Sequence, residues 1–475
     1  MRNYRLGLLA AALLLPQWVT AQTQEPIVLP DREFASTGFP GLPVDLLPPG
    51  ARALGLAGAF AAVADDATAA EANPAGLTIL NQSEFSIHFR DSDYSVPFAD
   101  PEALDPGFSF GGDTPAALIK TFEDSGSEVS FASWVKPFDR WTFSAFYQNQ
   151  LAIDATAPTD DVTSDVFLDN YLNTNALSAE VDGYGISGAF RVNDMISLGL
   201  TIKNVDMEVQ ASESILIEDV LDIEFIFSDP ELGPPLGTPA EFAAVIDDRL
   251  IGNSTLNGDD SDVVFNAGIL INPNGAWSLG LVYKEGGSYS IPGVVNQQEI
   301  LQCVGSGELT DFCNAVFALI PEVIDSLNGG RVVPGNQEIG IPDRLTFGLA
   351  LRPSDTLLLS IDLNLVDYED LPDPRLNSLG FRDNSLAGEN ISDELTYHVG
   401  VEKVFPLSGD LFNVFTVRAG IFEERDHDGF QILDTEDTHY TFGLGAVFRN
   451  LQLDLAYEAS DAVDNIVLSG IYRFD

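Results

Sequence analysis

Cations are scarce in this chain, with 22 Lys and Arg against 73 Asp and Glu and a net charge of −51. Lys203, Lys284 and Arg418 stand out against that background. Each falls on the polar phase of an alternating segment, well away from the short turns. A cation on an apolar-lined path can pair with the carboxylate of a substrate. The alternative is an internal salt bridge to Asp362, Asp454 or Glu402. Phe60, the one aromatic of a small-residue stretch from Gly50 to Leu80, joins the cations as a candidate ligand contact.

Other residue patterns carry less chemistry. Gly183-Tyr184-Gly185-Ile186-Ser187-Gly188 matches G-x-G-x-x-G, but no helix follows it, and cradling a nucleotide needs strand, turn and helix N-terminus. Its small residues suit a crowded interior instead. The four histidines, His88, His398, His427 and His439, form no metal-binding or triad pattern, and there is no G-x-S-x-G elbow. Catalytic residues are therefore assigned to none. Asp426-His427-Asp428-Gly429 and the run from Asn257 to Asp262 are acidic but lack calcium-loop spacing, so no metal is assigned. Cys303 and Cys313 are the only cysteines, and in an exported chain the pair predicts a disulfide stapling a loop.

The elements that must position these residues are strands. Leu357, Leu359, Ile361, Leu363 and Leu365 point one way, and Leu358, Ser360, Asp362, Asn364 and Val366 the other. About fourteen such segments follow Ser83, among them ones starting near Ser127, Leu177, Ser261 and Asp343. Short connections, such as Pro137–Arg140 and Pro353–Asp355, alternate with long ones at about 92–126, 153–176, 211–260, 290–342 and 369–391. That alternation predicts an all-β, transmembrane, antiparallel up-and-down barrel with turns at one end and loops at the other. Closure is required because lipid offers no hydrogen bonds to an open sheet edge. Aromatics such as Trp141, Tyr147, Tyr283, Tyr440, Tyr457 and Tyr472 near segment ends predict interfacial girdles. Pro239–Ile251 and Asp311–Leu327 read as short amphipathic helices within long loops.

The ends of the chain read differently. Residues 1–21 have Arg2 and Arg5, an apolar run from Leu6 to Leu15 and Val19-Thr20-Ala21, the pattern of a secretory signal. No cysteine follows for a lipid anchor. Residues 22–82 form a Pro-rich lead and then the Gly50–Leu80 stretch, too small-sided for a strand or an amphipathic helix and suited to close packing inside something. It ends in Asn73-Pro74-Ala75-Gly76, a turn. Residues 83–475 are the barrel. The acidity argues against nucleic-acid partners, and no apolar run after the signal is long enough for a transmembrane helix.

The Gly50–Ala53, Gly58–Phe60, Ala64–Ala69 and Asn73–Leu77 blocks resemble the FadL/TodX-type outer-membrane transporters of long-chain fatty acids and other hydrophobic compounds. So do Ile341–Leu349 and Tyr440–Gly445. The resemblance covers nearly the whole mature chain. It implies a Gram-negative outer-membrane protein whose N-terminal hatch plugs a fourteen-stranded barrel. It implies capture of an apolar ligand by helical loops, passage past the hatch and lateral release through the wall. It implies no cofactor, and surroundings of outer-membrane lipid and lipopolysaccharide. A monomer is expected. On this resemblance Asn73, Pro74, Ala75 and Gly76 are the hatch and gating residues. Related barrels serve as secretion or surface-assembly partners, which is the alternative function.

Overall fold

A computed structural model describes residues 47–99, 119–156, 162–163, 169–218, 246–273, 275–307, 310–311, 314, 331–367, 393–407, 413–425, 436–461 and 463–474. The predicted signal and the lead before residue 47 lie outside the described residues, as do His427 and Cys313.

Fourteen antiparallel staves close into one barrel. They are β1 (Ser83–Ala99), β2 (Ile119–Phe138), β3 (Trp141–Thr156), β4 (Asp169–Arg191), β5 (Ile196–Glu218) and β6 (Ile246–Ile271). β7 runs through Trp277–Lys284 and Gly287–Cys303, and β8 through Arg331–Ile341 and Asp343–Ser354. β9 (Leu357–Asp367), β10 (Glu394–Pro406), β11 (Val414–Arg425), β12 (Glu436–Phe448), β13 (Leu451–Ala459) and β14 (Val463–Phe474) complete the wall. β14 returns to β1, from Ser83 opposite Phe474 to Tyr94 opposite Val463. The closed ladder leaves no free edge to lipid.

The phase of β9 is the predicted one. In β9 the residues from Leu358 to Val366 at even positions are buried inward, while Leu359, Ile361 and Leu365 are exposed outward. Outward aromatics collect in two belts. Phe138, Trp141, Phe143, Phe405 and Tyr472 lie toward the short turns, and Tyr184, Tyr397, Tyr440 and Tyr457 toward the long loops.

Four strands begin earlier than the alternation predicts: at Ile119, Asp169, Ile246 and Arg331 rather than near Ser127, Leu177, Ser261 and Asp343. Beyond the upper aromatic belt the outward face meets water, so it carries Asp206, Glu208 and Gln210 and the apolar/polar contrast disappears. Backbone pairing continues regardless. For the same reason residues 246–251, predicted as the end of a helix, are strand. Of the second predicted loop helix, Asp311 and Asn314 are helical, and the remainder lies outside the described residues.

Pairing lapses at three places in the wall among the described residues, the shortest where β10 and β11 part beyond His398–Phe422 toward the long loops. Pairing of β2 with β3 stops at Phe131–Gln148, although both strands continue toward the long loops. Pairing of β6 with β7 stops at Asn266–Lys284 and resumes at Leu256–Gly293. Within the β6–β7 interruption the N–H groups of Ser290 and Ser288 donate to the carboxylates of Asp260 and Asp262, at 2.8 and 3.3 Å. Pro292 has no N–H to donate.

Candidate functional site inside the barrel

Residues 47–82 pack against the inner wall nearest the short turns. They include α1 (Ala51–Leu54), α2 (Ala69–Ala72) and a 3-10 turn (Pro74–Ile79). Their small side chains leave the backbone itself as the packing surface. The wall answers with glycine: a Cβ on Gly199 would strike Pro74 and Ala75, on Gly268 Asn73, on Gly280 Ala61, on Gly348 Ala62, on Gly400 Leu56 and on Gly420 Ala57. Gly199 faces Gly268 across the ladder, Gly280 faces Gly348, and Gly400 faces Gly420. The inner segment thus lies in a glycine band.

Exposed peptide groups of that segment must be satisfied once buried. Wall side chains satisfy them. Asp362 accepts from Phe60 N and Ala61 N at 2.9 and 2.8 Å. Ser187 and Thr201 donate to Ala70 O at 2.7 and 2.8 Å, and Ser278 to Ala62 O at 2.7 Å. Ala51 N donates to Ser469 Oγ at 2.8 Å. His398 Nδ1 donates to Ala57 O at 2.7 Å, steadying an alanine held at φ 56°. Asn73 caps the 3-10 turn through Ala75 N at 3.1 Å and donates to Ala61 O at 2.7 Å, tying two parts of the segment together. Gly76 lies against Ala64 O, where a Cβ would not fit.

Two charge clusters hold the segment. In the first, Arg418 on β11 donates to Glu402 and Asp454, both at 2.7 Å. Glu402 also accepts from Arg52 Nε at 3.1 Å, and Arg52 reaches Asp65. Burial would lower the Arg52 pKa, but Asp65, Glu402 and Asp66 outweigh it and hold the guanidinium firmly charged. In the second cluster Glu71 of α2, 1% exposed, accepts from Lys284 through both oxygens at 2.6 Å. Lys203 stands 4.0 Å from the same carboxylate. Burial pushes the Glu71 carboxyl upward. The neighbouring Lys284 and Lys203 prevail and hold it below the ordinary carboxylate range.

A cavity lies over the second cluster. Glu71, Lys203, Lys284, Arg344, Val205, Val264, Tyr289 and Ile341 line it. The last four are also the lower edge of an apolar cluster that climbs toward the long loops through Leu151, Ile153, Val181, Met207 and Leu256. The cavity therefore lies where a packed apolar lane of side chains meets Lys203, Lys284 and their partner Glu71.

The predicted site residues separate into groups. Lys203 and Lys284 come together in this cavity, but their partner is Glu71 of the inner segment and not a wall acid. Arg418 takes the salt-bridge alternative, with two of the three acids named for it. Phe60 is fully buried in the core of the inner segment and lies outside the lining of this cavity. Asn73, Pro74, Ala75 and Gly76 form the close contact with β5 and β6 described above. Cys303 is disulfide-bonded. Gly183 and Gly185 face inward within β4, as a crowded interior requires. Sequence reasoning missed Glu71 and the glycine band. The band had a signal: one glycine on the inward phase of several strands at similar height.

A closed fourteen-stave barrel with two aromatic belts and its N-terminal segment packed inside defines an outer-membrane transport barrel. The family model for outer membrane protein transport proteins (OMPP1/FadL/TodX) matches residues 49–462, and the chain belongs to that family, whose members are outer-membrane channels for hydrophobic compounds. A FadL homologue from Pseudomonas aeruginosa is similar at 16% identity and a TM-score of 0.57, over 92% of this chain and 100% of that one. The CymD monoaromatic hydrocarbon channel gives 15% and 0.51, over 90% and 97%. The Ralstonia pickettii toluene transporter TbuX gives 14% and 0.51, over 91% and 99%. At such identities the likeness is one of fold. No curated protein sequence matches the chain.

Proposed function

We propose that this channel passively imports long-chain fatty acids or related hydrophobic compounds. Loops collect the ligand, the inner segment acts as a hatch at Asn73-Pro74-Ala75-Gly76, and the ligand leaves sideways through the wall. The observation that carries this reading is the cavity where the apolar lane meets Lys203 and Lys284. An alkyl chain gains ~0.8 kcal/mol per buried CH₂ in such a lane. The ammonium groups suit the carboxylate at its end. Lateral release is supported by the two longer interruptions of the ladder, β2–β3 and β6–β7, where fewer backbone bonds must part.

Uptake of labelled oleate by cells with and without the gene tests the reading. Faster uptake with the gene is expected. Equal uptake rejects fatty-acid import, and loss of a surface protein instead would favour the secretion or surface-assembly role.

A further inference from the structure

We propose that Glu71 is a counter-ion latch: a ligand carboxylate reaching Lys203 and Lys284 takes the place of Glu71 and so releases the inner segment beside its Asn73 turn. The proposal rests on the transport reading above and deepens it by naming what opens the path. An acid opens the path by exchange, and a neutral hydrocarbon of the same length does not.

Four observations support it. First, the site is already a carboxylate site. Both Glu71 oxygens are held at 2.6 Å by Lys284, and Lys203 contributes from 4.0 Å. A ligand carboxylate has the same shape and charge as the group it would displace. Second, the approach is built for an amphiphile, because Val205, Val264, Tyr289 and Ile341 line the same cavity. Glu285, at that cavity too, accepts from Phe265 N at 3.1 Å. Third, exchange generates a driving force. Glu71 is 1% exposed, and a carboxylate that buried cannot stay charged without its partner. Once displaced it either takes up a proton or moves toward water, and in the second case the chain carrying it moves as well. Fourth, that chain is short. Glu71 lies in a four-residue helix and only two residues before Asn73, so its movement acts directly on the cap and the turn. Asn266, which donates to Glu71 O at 3.2 Å, is the nearby wall contact that would be lost.

The test uses the purified full-length protein carrying Ala72→Cys, a buried position next to Glu71. Labelling by a maleimide reports release of the segment, and Cys303, being disulfide-bonded, stays silent. Oleate is expected to speed labelling by ~tenfold or more, the scale of one exchanged buried charge pair. Oleyl alcohol is expected to bind without that effect. With Glu71→Gln added, labelling should be fast before any ligand is present, and oleate should bind more tightly. If Glu71→Gln does not assemble, Glu71→Asp, which keeps the charge at a longer reach, should label at an intermediate rate. Equal acceleration by acid and alcohol overturns the latch and leaves the channel standing, as does slow labelling of both Glu71 variants. Binding of neither lipid overturns the transport reading and the latch together.

Discussion

The two halves of the lumen use opposite packing. Toward the short turns, wall and inner segment meet through backbone: glycine against peptide, with Asp362, Ser187, Ser278 and His398 each bonding a main-chain group. Toward the long loops, β3 to β8 present Leu151, Val181, Met207, Leu256 and Ile291 to one another. The first surface is specific, because each hydrogen bond holds one peptide group in one place. The second is tolerant, because apolar contact has no direction. A channel that must hold its own segment firmly and its ligand loosely needs both. Glu71 and the lysines lie on the boundary between them.

The comparison breaks most visibly if the glycine band is filled. Gly199→Val would place side-chain atoms where Pro74 and Ala75 lie. The inner segment cannot then seat, while the barrel ladder, closed through other contacts, remains. Planar-bilayer recording is expected to show an open, steady conductance in this variant and little in the parent. A silent Gly199→Val channel would mean that the segment seats by another route.

Next in size is the first charge cluster. Arg418→Ala leaves Asp454 without its cation and Glu402 with Arg52 alone, and breaking one partner out of a buried network costs ~3–5 kcal/mol. Thermal unfolding of the purified barrel should move down accordingly. Because Arg418 is committed to protein carboxylates, oleate and alkane binding should fall together. A loss confined to acids would return Arg418 to the ligand site.

Much of this division was legible in the sequence, and the missing part has a physical cause. Alternation revealed the staves wherever lipid lies outside and a filled lumen inside, as in Leu357–Asp367. It fails above the upper belt, where both faces tolerate polar residues, so it places the start of β6 near Ser261 and the strand starts at Ile246. Phase placed Lys203 and Lys284 inward correctly. It could not name Glu71 as their partner, because Glu71 belongs to a segment without a period, 213 positions from Lys284. Nothing local distinguishes a latch carboxylate from the other acids of so acidic a chain.

The upper half gives a smaller effect of a different kind. Leu151→Ala removes apolar surface from the lane, far from the inner segment's hydrogen bonds. Each lost methylene should cost a long-chain ligand ~0.8 kcal/mol, a few-fold in affinity per group. Oleate and oleyl alcohol should lose alike, since the lane does not read charge. Maleimide labelling at Ala72→Cys without ligand should not change. A change there would mean that the two halves are mechanically coupled above the lysines.

The smallest effect concerns pH and sharpens the boundary itself. Glu71 is pushed up by burial and pulled down further by Lys284 and Lys203, so its carboxyl ionises below the ordinary carboxylate range. A group whose pKa is depressed in the folded state stabilises that state above its ordinary value, ~4.3 for glutamate, and loses that contribution as pH falls through the folded one. The part of ligand-free labelling at Ala72→Cys that depends on Glu71 should therefore rise only as pH falls below the ordinary carboxylate range, once corrected for thiol ionisation. The Glu71→Gln chain keeps Asp362, His398 and the other buried titratable groups around the inner segment, so the difference between the two scans isolates Glu71. A rise above pH ~5 in the parent that the Glu71→Gln chain lacks would show that burial, not the lysines, dominates at Glu71, and that the latch is held by packing with little help from charge.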